Sequence, residues 1–457
     1  MLCIKNGTII NANRTQHADI LICEAKIIEI AENLQLADKN IEVIDASDKF
    51  ILPGAIDPHV HLNLPTPAGY SSDNFFTGSR AALAGGTTTI IDFVTPESRS
   101  ESLLAALDKR KKEAENAVCN YAFHMSPLAW NKNVANDIKA CITNEGIPSF
   151  KTYMAYKQSI GLELDAIESL MAHVSKLKGI MLVHAEDGNE IDKLRQQFIQ
   201  EGKTGNIYHA LSRPAEVEEA AINELLNLIK KTNCKTYIVH TSSGRSINLI
   251  KQAQQENLSV FSETCPQYLL FDDSKLDQPF YDSAPYIFSP SLHSAKHKNH
   301  LWKGITNKII TSIGTDHCPF NLHGQKDLGL NDFTKVPNGA GGIEHRLELL
   351  YTFGVLTGKI SMQQMVNLVS TQPAKLFGLN SKGIIDINYD ADLVIWNKSV
   401  NKTISSKNQW QNCDHNIYEG LRIKGEAKQV IMNGQVVYSK SEGFRNPKGS
   451  YLFRSIS

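Results

Sequence analysis

Eight apolar, strand-like runs separated by longer helix-like stretches fill the middle of the chain and constrain its fold more than any other feature. The runs are Ala55 to Leu62, Thr87 to Val94, Asn120 to Met125, Ser149 to Met154, Ile180 to Ala185, Thr236 to Thr241, Ser259 to Thr264 and Ile309 to Asp316. Between them lie stretches of helical character, such as Glu101 to Asn116, Ala215 to Lys231 and Ser246 to Asn257. This alternation builds parallel sheets, because each crossover returns the chain to the same end of the sheet. Eight repeats let the sheet close on itself, so the expected fold is α/β, with a (β/α)8 barrel of the TIM type. Such a barrel can use ~250 residues or more as one domain, which accounts for much of a 457-residue chain.

The two ends read differently. Cys3 to Ile10, Asp19 to Cys23, Lys26 to Ile30 and Glu42 to Ile44 are short strand-like segments, and Ala391 to Trp396 and Gln429 to Tyr438 resemble them at the far end. The last contains Asn433-Gly434, the signature of a type I′ hairpin turn. A small β-sandwich built from N- and C-terminal segments is therefore expected, over residues 1–52 and 383–457 with a C-terminal extension. The catalytic barrel would span 53–382.

Composition narrows the partners. Lysine and arginine number 47 against 48 acidic residues, a net charge of −1, so no basic field exists to hold nucleic acid or an anionic membrane. No run of about 18 apolar residues occurs, and the first residues lack the pattern of a secretion signal. The eight cysteines form no C-x-x-C pair, which suits reduced thiols and a cytoplasmic location. A small-molecule partner is the expectation that remains.

In a barrel of this type, chemistry collects at the C-terminal ends of the strands. His59 and His61 lie at i and i+2 on the first run and so face the same way. Such a pair also occurs at ordinary strand ends, with hydrogen-bonded imidazoles. Here the fifth, sixth and eighth runs carry His184, His240 and Asp316 at or one residue before their ends, and the fourth carries Lys151, Tyr153 and, just beyond, Tyr156. Histidines and an aspartate converging from four strand ends suit a metal site. Lys151, between Phe150 and Thr152, allows two readings. It can reach solvent along its stem, or it can lie desolvated as a neutral amine that takes up carbon dioxide. The resulting carbamate is a carboxylate able to bridge two cations. His317 and Cys318 adjoin Asp316 and read as supports of the ligands or plain loop positions, His124 and His209 as hydrogen-bonded structural groups or supports of the ligands, and Asn338-Gly339-Ala340-Gly341-Gly342 lacks the pattern of a nucleotide loop.

Longer stretches carry a resemblance. They include Asp57-Pro58-His59-Val60-His61, Gly85-Gly86-Thr87-Thr88, Phe150-Lys151-Thr152-Tyr153-Met154-Ala155-Tyr156 and His184-Ala185-Glu186-Asp187-Gly188. Tyr208-His209-Ala210-Leu211-Ser212-Arg213-Pro214, Glu263-Thr264-Cys265-Pro266-Gln267-Tyr268, Pro337-Asn338-Gly339 and Tyr418-Glu419-Gly420 extend it over nearly the whole chain. Together they resemble the cyclic amidohydrolases of the amidohydrolase superfamily, specifically the dihydropyrimidinase/D-hydantoinase family. That resemblance implies two divalent metal ions per chain, usually Zn2+. It implies His59, His61 and Asp316 on one ion, His184 and His240 on the other, and Lys151, carboxylated by carbon dioxide, bridging both.

The resemblance also implies hydrolysis of the cyclic amide bond of dihydropyrimidines or hydantoins to N-carbamoyl amino acids. Asp316 would act as the proton shuttle and Tyr156 as an oxyanion donor. Tyr156, Ser289 and Asn338 would contact the substrate, and Leu64, Tyr153 and Ile160 would shape its pocket. Ser289-Pro290-Ser291-Leu292 departs from the family where a second proline is common, and Ile160 stands where hydantoinases often carry an aromatic residue. Dihydroorotases place an arginine two residues after the second histidine; here that position is Asn63. Allantoinase is the other near alternative. A non-catalytic scaffold relative would lack the ligands that this chain retains. The family also implies a homotetramer or homodimer.

Overall fold

A computed structural model of the protein describes residues 1–36 and 40–455. Residues 37–39 and 456–457, inside the segments expected to form the terminal domain, lie outside the described residues.

The eight barrel strands are Ala55–Val60, Thr87–Val94, Asn120–Met125, Ser149–Tyr153, Ile180–His184, Thr236–Ile238, Val260–Thr264 and Ser312–Ile313. Each is hydrogen-bonded to its sequence neighbour in one eight-stranded sheet, and the pairs are parallel. A parallel bridge from Val60 to His317 links the first strand to the segment after the eighth. The second strand is buried at all eight positions, as expected of a strand covered on both faces.

The surrounding helices follow from periodicity and caps. Leu164–Lys176 buries Ile167, Leu170, Met171 and Val174, a stripe at i, i+3, i+4 and i+7. Asn74 caps Phe75–Ala84 in a reciprocal capping box with Thr77. Asn131 and Asp187 accept from the first backbone N–H groups of Lys132–Asn144 and Gly188–Gln200.

The sixth and eighth strands are shorter than their apolar runs. Both runs end in residues whose backbone leaves the extended region, His240 at φ 37° and Asp316 at φ 52°. Left-handed residues cannot continue a ladder, so the strands stop early and the side chains turn over the barrel mouth.

The two chain ends meet in one nine-stranded mixed sheet. Leu393–Thr403 pairs antiparallel with Phe50–Pro53, setting Ile395 opposite Ile51, and Leu2–Ile10 pairs in turn with Phe50–Pro53. Ile4, Ile9, Ile20, Ile22, Ile51, Leu393, Ile395 and Ile431 form a core of its own. Asn433 and Gly434, at φ 51° and 77°, join the paired Met432 and Gln435, the expected I′ turn. The last described residues return to the barrel. Tyr451 bridges Tyr121, and buried Arg454 donates to the carbonyls of Phe123 and Phe377 and to Ser149 Oγ.

Candidate metal centre

Five of the six expected ligands stand at or just beyond the C-terminal ends of barrel strands, and the sixth, Lys151, is on the fourth. Nitrogen atoms of His59 and His61 and an oxygen of Asp316 lie within 4.8 Å of one another. Asp316 Oδ1 is 3.1 Å from His59 Nε2 and 3.2 Å from His61 Nε2. Across the barrel mouth, His184 Nδ1 is 2.9 Å from His240 Nε2.

Neighbouring carboxylates decide which ring nitrogens carry lone pairs. His59 Nδ1 is 2.6 Å from Glu263 Oε1, so it keeps its proton in either charge state, and Nε2, facing Asp316, is the nitrogen that would exchange a proton for a metal ion. His184 Nε2 is 2.8 Å from Glu186 Oε2, which leaves its Nδ1 bare towards His240. His59 Nε2 and His240 Nδ1 are buried without a hydrogen-bond partner. Nitrogens facing an anion on one side and another imidazole on the other are what a cation relieves, so the donor set fits metal ions.

Lys151 sits over two rings that touch both groups, Phe93 against His59 and His61 and Tyr153 against His184. It is 1 % exposed, and its Nζ lies 4.9 and 5.0 Å from the ring centres of Phe93 and Tyr153. Among the described residues it makes no ion pair. Burial pushes its amine down to about 8, against the pull of Asp316 and Glu263. Its charge in turn disfavours protonation of His59, His61, His184 and His240 alike. The solvent-reaching reading of this lysine does not match a side chain so enclosed.

The electrostatics are steep. Burial works against a proton on His59, but Glu263 and Asp316 outweigh it and raise the imidazole to about 9. Burial also opposes the Asp316 charge, yet His59 and His61 hold this carboxyl well below its usual range. Burial keeps His240 strongly deprotonated. Arg213 Nη1, 2.6 Å from Glu186, overcomes burial and with His184 holds that carboxyl down at about 2.

Three site residues, Tyr156, His240 and Asp316, occupy left-handed backbone, at φ 58°, 37° and 52°. Such conformations cost ~1–3 kcal/mol each and gather at functional sites. The Tyr156 hydroxyl accepts from Arg213 Nη2 at 3.5 Å. Its loop is held by Arg99, whose guanidinium donates to the carbonyls of Leu128, Lys157, Ser159 and Gly161. Half-buried Ile160 belongs to that loop, Leu64 is half-buried after the first strand, and buried Tyr153 stacks near Tyr156 and His184. Ser289 and Asn338 form a separate group: Asn338 Nδ2 donates to Ser289 Oγ at 3.1 Å. They approach the centre through the chain, since Ala340 bridges His317, the residue after Asp316.

Glu263, Glu186 and Arg213 had no role assigned from sequence. Glu263 closes the seventh strand run, so the strand-end rule contained the signal. Asp57, part of the first stretch of the resemblance, had no role assigned either; it accepts from Thr315 Oγ1 at 2.6 Å and lies 3.6 Å from Arg346 Nη1. His124 and His317 bind Ser149 and Asp73, as structural groups should. Among the described residues one further potential ligand cluster exists, Cys413, Asp414 and His415, but Asp414 already accepts from the backbone of Leu322 and His323.

A barrel with histidines, a lysine and an aspartate at these strand ends defines an amidohydrolase, and the Amidohydrolase family model matches residues 50–437. The chain is 38% identical to the D-hydantoinase of Geobacillus stearothermophilus over 455 residues, 99% of this chain and 96% of that one. It is 34% identical to the dihydropyrimidinase of Arabidopsis thaliana over 466 residues, covering 100% of this chain and 87% of the relative. The crystal structure of the dihydropyrimidinase from Brevibacillus agri superposes with a TM-score of 0.97 at 39% identity, covering 100% of this chain and 99% of that one. The protein belongs to the hydantoinase/dihydropyrimidinase family of cyclic-amide hydrolases. No helix among the described residues is long and apolar enough to cross a membrane.

Proposed function

We propose that the protein opens the ring of dihydropyrimidines or 5-substituted hydantoins to give N-carbamoyl amino acids, using two zinc ions. The observation that carries this reading is the meeting of His59, His61 and Asp316 within 4.8 Å, together with His184 Nδ1 at 2.9 Å from His240 Nε2 and a buried Lys151. His59, His61 and Asp316 would hold one ion and His184 and His240 the other, with Lys151, carboxylated by carbon dioxide, shared between them. Ions bound there would supply Lewis-acid polarisation and hydroxide at neutral pH.

The chain's own residues do the rest. Asp316, kept ionised by His59 and His61, accepts the proton of the attacking water and delivers it to the departing ring nitrogen. The Tyr156 hydroxyl, oriented by Arg213, donates to the carbonyl oxygen as its charge develops. Main-chain groups at Ser289 and Asn338 hold the imide edge. Leu64, Tyr153 and Ile160 border the ring substituent. Asn63 offers no cation for a ring carboxylate, which disfavours dihydroorotate, and the complete ligand set disfavours a non-catalytic scaffold.

Eight free cysteines suit a reducing cytoplasm. By family likeness the assembly is a homotetramer or homodimer, which sedimentation would distinguish. Rates on dihydrouracil, hydantoin, 5-substituted hydantoins and allantoin test the substrate assignment. Ring opening of the first three, faster than allantoin, is expected; preference for allantoin would overturn it.

A further inference from the structure

Lys326 is fully buried, and no carboxylate lies within 4 Å of it among the described residues. A buried amine without a counter-ion is costly, so the contacts it makes must require a donor. Its Nζ donates to two backbone carbonyls on different segments, Ile287 at 3.1 Å and Pro337 at 3.0 Å. Both carbonyls lie next to the proposed imide-binding groups: Ile287 is two residues before Ser289, and Pro337 directly precedes Asn338.

Other contacts fix the same frame. Gly339 N–H donates to the Ile287 carbonyl at 3.0 Å, and His209 Nε2 binds the Phe288 carbonyl at 2.8 Å. Burial pushes the lysine down to about 7, so its donors persist in either charge state. The preceding residue reaches the other side of the pocket. Gln325 Nε2 donates to the carbonyls of Ala68 and Tyr70, in the loop after the first barrel strand, at 3.2 and 2.8 Å.

We infer that Lys326 is a positioning residue: by clamping the Ile287 and Pro337 carbonyls it sets the spacing between Ser289 and Asn338, and hence the fit of the cyclic imide. This rests on the proposed cyclic-ureide activity. A hydrocarbon such as methionine would fill the space but leave the Pro337 carbonyl without this donor and the Ile287 carbonyl with the Gly339 N–H alone, so the two roles of bulk and donor separate cleanly.

The test is steady-state kinetics of the metal-loaded protein on dihydrouracil and hydantoin, comparing wild type with Lys326→Met and Lys326→Gln. Loss of the clamp should raise KM ~10-fold in the methionine variant while kcat changes less than ~3-fold. The glutamine variant, which keeps an NH2 donor on a stem one atom shorter, should fall between, and metal content should match wild type in both. An active wild type with unchanged KM in both variants overturns the clamp alone, as does a loss confined to kcat or to metal content. Failure of both variants to fold overturns it too, leaving Lys326 a purely structural group. Absence of ureide turnover in the wild type overturns the underlying activity instead.

Discussion

Glu263 Oε1 stands 2.6 Å from His59 Nδ1, with both side chains wholly buried. The same carboxylate accepts from Tyr237 Oη at 2.8 Å and from the His240 backbone N–H at 3.0 Å, joining three strands beneath the centre. Gly314 makes room for it, since a Cβ there would come within 2.5 Å of Glu263 Oε2. Glu263→Gln should keep the shape but weaken the donor power of His59. Metal affinity should fall ~10–100-fold in chelator competition, the range typical of lost partners to metal-binding histidines. Unchanged affinity would remove Glu263 from the design of the centre.

Asp316 is assigned both a ligand and a proton-transfer role. Asp316→Asn should keep bound metal, measured by mass spectrometry, while lowering the ring-opening rate by ~10² or more. Wild-type turnover in this variant would exclude the shuttle.

Glu186 is enclosed between Arg213 at 2.6 Å and His184 at 2.8 Å. Arg213→Met would leave a buried, uncompensated carboxylate, at a cost of ~3–5 kcal/mol in denaturant titrations. Adding Glu186→Gln should recover most of that loss. A single-variant effect below ~1 kcal/mol would show that the pair is not a structural requirement.

Glu218 gives a pH signature away from the ligands. Its carboxylate accepts from the backbone N–H groups of Ser242 and Ser243, just beyond His240. Burial raises it from 4.5 to about 7, although Ser242 and Ser246 pull it down. Between those values the folded chain holds a proton that the unfolded chain has lost. Stability from this group is therefore complete below pH 4.5 and declines up to about pH 7. At ~1.4 kcal/mol per pH unit the loss approaches ~3 kcal/mol. Denaturation of metal-free protein at pH 5 and pH 8 should show a larger decline in wild type than in Glu218→Gln, the difference being this contribution. Parallel profiles would contradict it.

Much of this architecture was legible in the residues. The eight runs marked the barrel, and the strand-end rule located His59, His61, His184, His240 and Asp316. Two strand lengths were not legible, because apolarity continues through His240 and Asp316 while their backbone turns left-handed. Periodicity reports burial, not φ. Glu263 stands near a strand end where the rule could have found it, but its pairing with His59, like that of Glu186 with Arg213, escaped because a carboxylate's neighbour is set by tertiary contact rather than spacing. Lys326 was hidden for the same reason: nothing near it in sequence distinguishes a buried donor from a surface lysine. Arg454 shows the converse at the chain's end, a charged residue in a tail that is enclosed against the barrel.

The proposed binuclear centre depends on Lys151 as its bridge. Metal analysis and ring-opening assays on wild type and Lys151→Ala, each reconstituted with zinc and bicarbonate, test it most directly. About two metal ions per wild-type chain, with loss of both bound metal and turnover in Lys151→Ala, is the predicted result. Full activity with stoichiometric metal in Lys151→Ala would contradict it.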